Sequence, residues 1–303
     1  MITYLDCLPC FLSQALRAAR IATDDDKKIK KVLDEVGMML RNIPLESTPP
    51  ESGRLIYHKV SEITGNFDPY REIKNESTKK ALSLYPSLKS QVEKSNDRLL
   101  TAIRIAIAGN VIDFGANWDF DLENEIEEVL DKDFAIYDFG AFKDCLAEAR
   151  EILYVGDNAG ECVFDRILIE EMKKPVMYAV RDVPIINDAT YEDAVQAGID
   201  KVGTIFSSGT DAPGAILKTC SAEFKEVFNN SKFIISKGQG NYEGLSNEKR
   251  PIFFLLKAKC HVIANDIGVD EGDIVLKGEV LNVVRRVQDV RSRKQDFIKK
   301  GVA

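Results

Sequence analysis

The hydrophobic pattern of this chain changes near residue 151, and that change constrains the fold more than any other feature. Up to about residue 150, apolar residues recur every three or four positions, as in amphipathic helices. From residue 151 onward, short apolar runs alternate with helical stretches, which predicts a parallel sheet covered on both faces. The sequence therefore predicts an α/β protein, with an all-helical domain at 1–150 and a Rossmann-like, doubly wound, mostly parallel sheet domain at 151–303.

Individual elements follow from the same pattern. In the second half the predicted strands are 152–156, 176–181, 201–206, 232–236 and 251–258, with further strands at 262–264, 274–276 and 280–284. The predicted helices there include 161–173 and 213–229. In the first half, Pro86 is expected to end one helix, and a nearly apolar core helix is expected at 87–107.

Polar residues follow four of the predicted strands. They are Asp157, Asn158 and Glu161 after the first strand, Asp188 after the second, Ser207, Ser208 and Gly209 after the third, and Lys237 after the fourth. Because open α/β sheets bind ligands at the carboxyl ends of their strands, we expect these residues to converge. Asp and Asn are also favoured in turns and helix caps, so each position alone allows a purely local role.

Each group would have a separate task in such a site. Asp157, Asn158 and Asp188 would give a divalent cation the oxygen ligands that Mg²⁺ and Mn²⁺ prefer. The 207–209 loop would hold phosphate oxygens, and Lys237 would place a positive charge on the phosphate. Composition and spacing thus indicate metal-assisted chemistry on a phosphorylated small molecule.

The apolar helix before residue 110 leads into two further polar residues, Asn110 and Asp113. Buried polar groups need partners, and a ligand in a cleft is one possibility. The alternative is local, with Asn110 as a helix C-cap and Asp113 in a turn hydrogen bond.

Five short motifs occur in a specific order. They are Cys-Leu-Pro-Cys at 7–10, Gly-Asn-Val-Ile-Asp-Phe-Gly at 109–115, Gly-Asp-Asn-Ala-Gly-Glu at 156–161, Asn-Asp-Ala-Thr at 187–190 and Lys-Gly-Gln-Gly-Asn-Tyr-Glu at 237–243. Together they resemble the damage-control phosphatase family, also catalogued as domain of unknown function eighty-nine. The resemblance spans about residues 3–285, and the early Cys-x-x-Cys is similar to the archaeal and bacterial branch.

The resemblance implies a helical domain on a Rossmann-like domain, with Mn²⁺, Co²⁺, Ni²⁺ or Mg²⁺ at the carboxyl edge of the sheet. It also implies dephosphorylation of small phosphorylated metabolites, such as sugar phosphates or damaged phosphometabolites. Matched by motif, the metal ligands are Asp157, Asn158 and Asp188, Lys237 lies on the phosphate, and Asn110 and Asp113 reach the substrate from the helical domain. Either a metal-bound water or Asp157 would attack phosphorus.

The eukaryotic branch carries an Arg-Thr-x-Lys signature on the following strand. Here residues 255–260 read Leu-Leu-Lys-Ala-Lys-Cys, without the arginine, so both Lys257 and Lys259 are candidates for the substrate-binding lysine. They share a face in an extended strand. The family's substrate preference does not carry across this difference.

Two functions of other classes stay open. One is an S-adenosylmethionine-dependent carboxyl methyltransferase, in which Asp182 would bind the cofactor ribose. The other is a non-catalytic protein that binds phosphometabolites and leaves them intact.

Charge and composition bound the partners. A net charge of -8 disfavours a nucleic-acid surface, and no apolar run reaches the length of a membrane span. The start of the chain lacks a signal-peptide pattern, so a cytoplasmic location is predicted, while the oligomeric state stays open. Cys7 and Cys10 are candidates for a metal or redox role, with Cys260 as a possible neighbour; the alternatives are small buried residues or an incidental intrahelical disulfide. His58 and His261 have no partner spacing and are expected to be structural.

Overall fold

The computed structural model describes residues 1–110 and 122–279. Within these ranges the chain forms twelve α-helices and one seven-stranded sheet, which confirms the predicted α/β class. The predicted strand at 280–284 lies outside the described residues.

Three helices at the start of the chain share a hydrophobic core of their own. They are α1 (Cys7–Ala22), α2 (Asp26–Leu40) and α3 (Pro49–Thr64). At the start of α3, Thr48 and Glu51 form a capping box, and the helix ends at Gly65 in the left-handed conformation. Apolar side chains such as Phe11 and Val36 fill the space between the three helices.

The next helices are α4 (Arg71–Lys94), α5 (Arg98–Gly109) and α6 (Leu122–Asp131). Pro86 lies inside α4, so the predicted helix end at this proline is wrong. A proline removes one backbone hydrogen bond, but Leu88 and Val92 beyond it are buried in the core and keep the helix in place. The break comes instead before Asp97, which caps α5 by accepting from the Leu100 N–H at 3.0 Å.

The seven strands form one sheet. They are β1 (Phe134–Tyr137), β2 (Ile152–Val155), β3 (Val176–Val180), β4 (Thr204–Ser207), β5 (Ile234–Lys237), β6 (Ile252–Lys257) and β7 (Ile274–Gly278). Their order is β1-β7-β6-β5-β2-β3-β4, and every pair is parallel except β6 with β7. The expectation that residues 1–150 contain only helices is wrong at 134–137, because this short run of β-formers pairs with β7 as an edge strand. The domain boundary at residue 150 stays a prediction.

Six further helices connect the strands. They are α7 (Phe139–Glu148), α8 (Glu161–Met172), α9 (Tyr191–Ala197), α10 (Ala222–Asn230), α11 (Gly238–Leu245) and α12 (His261–Ile267). The strand predicted at 262–264 is wrong, since this apolar run forms the buried face of α12. The helix predicted from residue 213 begins only at Ala222, where Ser221 accepts from the Phe224 N–H at 3.0 Å.

The two faces of the sheet build two cores. In β2, Ile152 and Tyr154 face one core, which also includes side chains of α4, α5 and α8. Leu153 and Val155 face the other core, with side chains of α10, α11 and α12. Helices therefore cover both faces, as predicted, and the carboxyl ends of the parallel strands stay open for a ligand.

Candidate metal and phosphate site

Two loops at the carboxyl edge of the sheet are joined through their backbones. Asn158, which follows β2, and Asp188, which follows β3, form an isolated antiparallel bridge. Beside it, the Ala189 N–H donates to the Asp157 carbonyl at 2.7 Å. The structure thus brings the three predicted metal ligands together from distant parts of the sequence.

Each of these ligands has one side-chain atom held by a hydrogen bond and one oxygen left without one. Asp157 Oδ2 accepts from Asn110 Nδ2 at 3.1 Å, Asn158 Nδ2 donates to Glu161 Oε1 at 2.5 Å, and Asp188 Oδ2 accepts from Arg181 Nε at 2.6 Å. Within the described ranges, the Oδ1 atoms of Asp157, Asn158 and Asp188 accept no hydrogen bond. All three residues line one cavity. Two carboxylate oxygens and one amide oxygen form a donor set that fits a hard divalent cation.

The charge of the site also fits such an ion. Four carboxylates and two cations are buried here: Asp157, Glu161, Asp165 and Asp188, with Arg181 and Lys237. With all six groups ionised, the site has two excess negative charges, which one bound divalent cation would neutralise. Burial, with Glu161 and Asp188 nearby, raises the pKa of Asp157 well above its usual range. Burial also raises the pKa of Asp188 to about 6, although Arg181 opposes this rise.

Lys237 is fully buried and does not line the cavity. Its Nζ donates to Asp165 Oδ1 at 2.8 Å and to Glu161 Oε2 at 3.2 Å. Burial alone would lower the pKa of Lys237, but these two carboxylates raise it above its usual value, so the amine stays charged. The predicted contact between Lys237 and phosphate stays a prediction, since the described structure places this amine in an ion-pair network and not on the cavity.

Asn110 and Glu161 support the ligands from behind. Asn110 sits at the C-cap of α5, and its Nδ2 donates to Glu161 Oε1 at 2.8 Å as well as to Asp157. Asn110 is thus a helix C-cap, as the local interpretation predicts, whereas its contact with a substrate stays a prediction. Asp113 lies outside the described residues.

The cavity in front of the ligands has a volume of about 310 Å³ and lies between the first helices and the edge of the sheet. Its walls include Phe11 and Gln14 of α1 and Tyr57 of α3. Lys259 lines this cavity, whereas Lys257 at the end of β6 does not. Of the two candidate lysines, Lys259 is thus the one placed to meet a substrate.

The predicted phosphate loop does not join this cavity. Ser208 Oγ donates to the Val180 carbonyl at 2.7 Å, and Ser207 Oγ donates to Asp182 Oδ1 at 2.7 Å and accepts from the Gly209 N–H at 2.9 Å. The structure uses both hydroxyls to fasten the loop to β3. Asp182, the ribose-binding acid of the methyltransferase alternative, is engaged in the same way and does not line the cavity.

Sequence reasoning missed three buried residues of the site, Arg181, Asp165 and Asn241. Arg181 contacts Asp188, and Asp165 accepts from Lys237, while Asn241 accepts from Arg181 Nη2 at 3.0 Å. A signal existed for two of them. A charged residue at the end of an apolar strand, or on the apolar face of a helix, has to find a buried partner.

The cysteines and histidines play other parts. All six cysteines are free thiols, and Cys7, Cys10 and Cys260 line the cavity. Within residues 1–110 and 122–279, no group of three or more His, Cys, Asp or Glu side chains is arranged to hold a metal ion, so a metal role for Cys7 and Cys10 gains no support. His58 contacts Asp211 at 3.1 Å, on the surface.

In the part of the chain that the structure describes, we find no helix with the length and apolarity to span a membrane.

A profile of the damage-control phosphatase ARMT1-like domain matches residues 3–275. The chain therefore belongs to this family, which confirms the resemblance seen in the sequence motifs.

Archaeal relatives support the assignment. The damage-control phosphatase PH1575 of Pyrococcus horikoshii is 38% identical over 278 residues, which are 89% of this chain and 96% of the relative. A damage-control phosphatase of Archaeoglobus fulgidus is 34% identical over 281 residues, 89% of this chain and 97% of the relative. The crystal structure of a DUF89 family protein from Pyrococcus horikoshii matches with a TM-score of 0.84 at 37% identity, covering 92% of this chain and 99% of that one.

Proposed function

We propose that this protein is a metal-dependent phosphatase that hydrolyses small phosphorylated metabolites, such as sugar phosphates or damaged phosphometabolites. The observation that carries the proposal is that Asp157, Asn158 and Asp188 line one cavity and that, among the described residues, their Oδ1 atoms accept no hydrogen bond. The relatives named damage-control phosphatases support a phosphatase. The predicted cytoplasmic location stays part of the proposal.

Asp157, Asn158 and Asp188 would hold Mn²⁺, Co²⁺, Ni²⁺ or Mg²⁺. When bound there, such a cation would act as a Lewis acid on the phosphoryl group. Lys259 lines the cavity and would pair with a phosphate oxygen through its ammonium group. Lys237 would act at a distance by neutralising Glu161 and Asp165, which keeps the ligand carboxylates in place.

The test is hydrolysis of p-nitrophenyl phosphate after treatment with EDTA, with Mn²⁺, Co²⁺, Ni²⁺ or Mg²⁺ added back singly. We expect activity only with added metal, and a loss of at least a hundredfold in Asp157→Ala. Activity that survives both EDTA and Asp157→Ala would overturn the metal-dependent mechanism. A panel of phosphorylated metabolites would then identify the natural substrate class.

A further inference from the structure

Arg181 is a buried cation directly behind two of the proposed metal ligands. It follows β3 and is 1% exposed. Its Nε donates to Asp188 Oδ2 at 2.6 Å, and its Nη2 lies 3.6 Å from Asp157 Oδ1. Arg181 does not line the cavity, so it lies on the far side of the carboxylates from any substrate.

Asn241 in α11 holds this arginine in position. Its Oδ1 accepts from Arg181 Nη2 at 3.0 Å and from the Ala215 N–H at 2.8 Å. Its Nδ2 donates to the carbonyls of Gly156 at 2.9 Å and Lys237 at 2.7 Å. All four hydrogen-bonding positions of the amide are used, so the amide has one orientation, and it ties four chain segments together.

A carboxylate that binds a metal through one oxygen needs its other oxygen anchored. The bond from Arg181 Nε occupies Asp188 Oδ2, while Asp188 Oδ1 accepts no hydrogen bond from the described residues, and Asp188 lines the cavity. Such outer hydrogen bonds orient metal ligands and typically change metal affinity ten- to a hundredfold when lost.

We propose that Arg181, held by Asn241, is a positioning residue that orients Asp188 and thereby sets the affinity of the site for its divalent cation. This inference rests on the proposed function. In this proposal Arg181 strengthens metal binding through the direction of its hydrogen bond to Asp188. The positive charge of Arg181 has the opposite effect, because it repels a cation.

Two substitutions separate orientation from charge. Arg181→Lys keeps the positive charge but puts a methylene group where the arginine has Nε. Arg181→Gln loses the charge but puts an amide N–H donor at the same point along the side chain. If orientation dominates, Arg181→Lys binds the metal more weakly than the wild type and Arg181→Gln stays closer to it. Charge alone predicts instead that Arg181→Lys keeps the wild-type Kd and that Arg181→Gln binds the metal more tightly.

The experiment is calorimetric titration of the full chain with Mn²⁺ alone. We expect Arg181→Lys to raise the Kd about ten- to a hundredfold. The matched control is Arg250→Lys. Arg250 donates to the Phe228 and Ser231 carbonyls at the amino ends of β5 and β6, away from the proposed metal ligands. The Kd for Mn²⁺ of this variant should equal that of the wild type.

The outcomes distinguish this inference from the function on which it rests. If the wild type binds no Mn²⁺, the metal-dependent function fails. If the wild type binds and Arg181→Lys stays within twofold of it, only the positioning role of Arg181 fails. If Arg181→Lys shows no cooperative unfolding, Arg181→Gln is titrated instead. A Kd of Arg181→Gln more than tenfold higher than that of the wild type would overturn the positioning role of Arg181.

Discussion

The backbones of Asn158 and Asp188 form an antiparallel bridge between two loops that leave neighbouring parallel strands. The bridge fixes the spacing of the two backbone segments from which both side chains project. A site built this way is largely formed before a ligand arrives, which lowers the cost of ordering it on binding. The proposed metal ligands therefore depend on the backbone of two loops more than on any one packing contact.

Gly238 is a further backbone requirement of the site. It starts α11 with φ of 76°, and a Cβ at this position would lie 1.8 Å from Asp157 Oδ2. We predict that Gly238→Ala pushes Asp157 away and weakens Mn²⁺ binding at least tenfold, measured by titration calorimetry.

The matched control for this prediction is Gly65→Ala. Gly65 has a nearly equal φ of 77°, but a Cβ there would meet nothing within 4 Å. Both variants should lose about 1–2 kcal/mol of stability from left-handed strain. Equal Mn²⁺ affinity in both variants would show that the contact with Asp157 is unimportant.

The convergence of the three proposed metal ligands could be predicted from sequence because their placement follows a general rule. Asp157 and Asn158 closely follow β2, Asp188 lies in the loop after β3, and the carboxyl ends of parallel strands meet at one edge. The hydrogen bonds that hold these three side chains could not be predicted in this way. Arg181 also ends a strand, but only the three-dimensional path of the next loop shows that it contacts Asp188.

A position at the carboxyl end of a strand does not by itself predict that a serine hydroxyl binds a ligand. The 207–209 loop lies after β4 as expected, yet the Ser208 hydroxyl donates to the Val180 carbonyl next to it. Whether a serine binds a ligand or its own backbone depends on local geometry that residue types do not reveal. The short strand β1 was missed for a related reason, because four residues carry little periodicity.

Removing the charge of Lys237 should lower the stability of the protein far more than removing the charge of Lys259. Lys237→Met leaves Glu161 and Asp165 buried without a cation, so we predict a loss of about 3–5 kcal/mol in the free energy of unfolding. Lys259→Met changes an exposed side chain and should stay within about 0.5 kcal/mol of the wild type.

Urea denaturation measures both stabilities, and KM for p-nitrophenyl phosphate separates the roles further. We expect Lys259→Met to raise KM, because Lys259 lines the cavity. A Lys237→Met protein as stable as the wild type would contradict the buried network. An unchanged KM in Lys259→Met would argue against its contact with phosphate.

Glu243 gives the protein a predictable dependence on pH. This half-buried residue lines the cavity, and burial of its carboxyl group raises its pKa from 4.5 to about 7, although Gln239 and the Met1 amine oppose the rise and Asp266 adds to it. Between pH 4.5 and 7 the folded protein therefore holds a proton that the unfolded chain has lost, so its contribution to stability falls as pH rises through this window. Since part of the side chain meets water, we expect a fall of about 1–2 kcal/mol in the free energy of unfolding between pH 5 and pH 7.5.

Glu243→Gln is neutral throughout and should lack this component. The difference in unfolding free energy between the two proteins, measured in urea at each pH, therefore isolates the contribution of Glu243 from groups such as Asp188 that titrate in both. A difference that does not vary with pH would show that the Glu243 carboxyl is ionised in the folded protein at every pH tested.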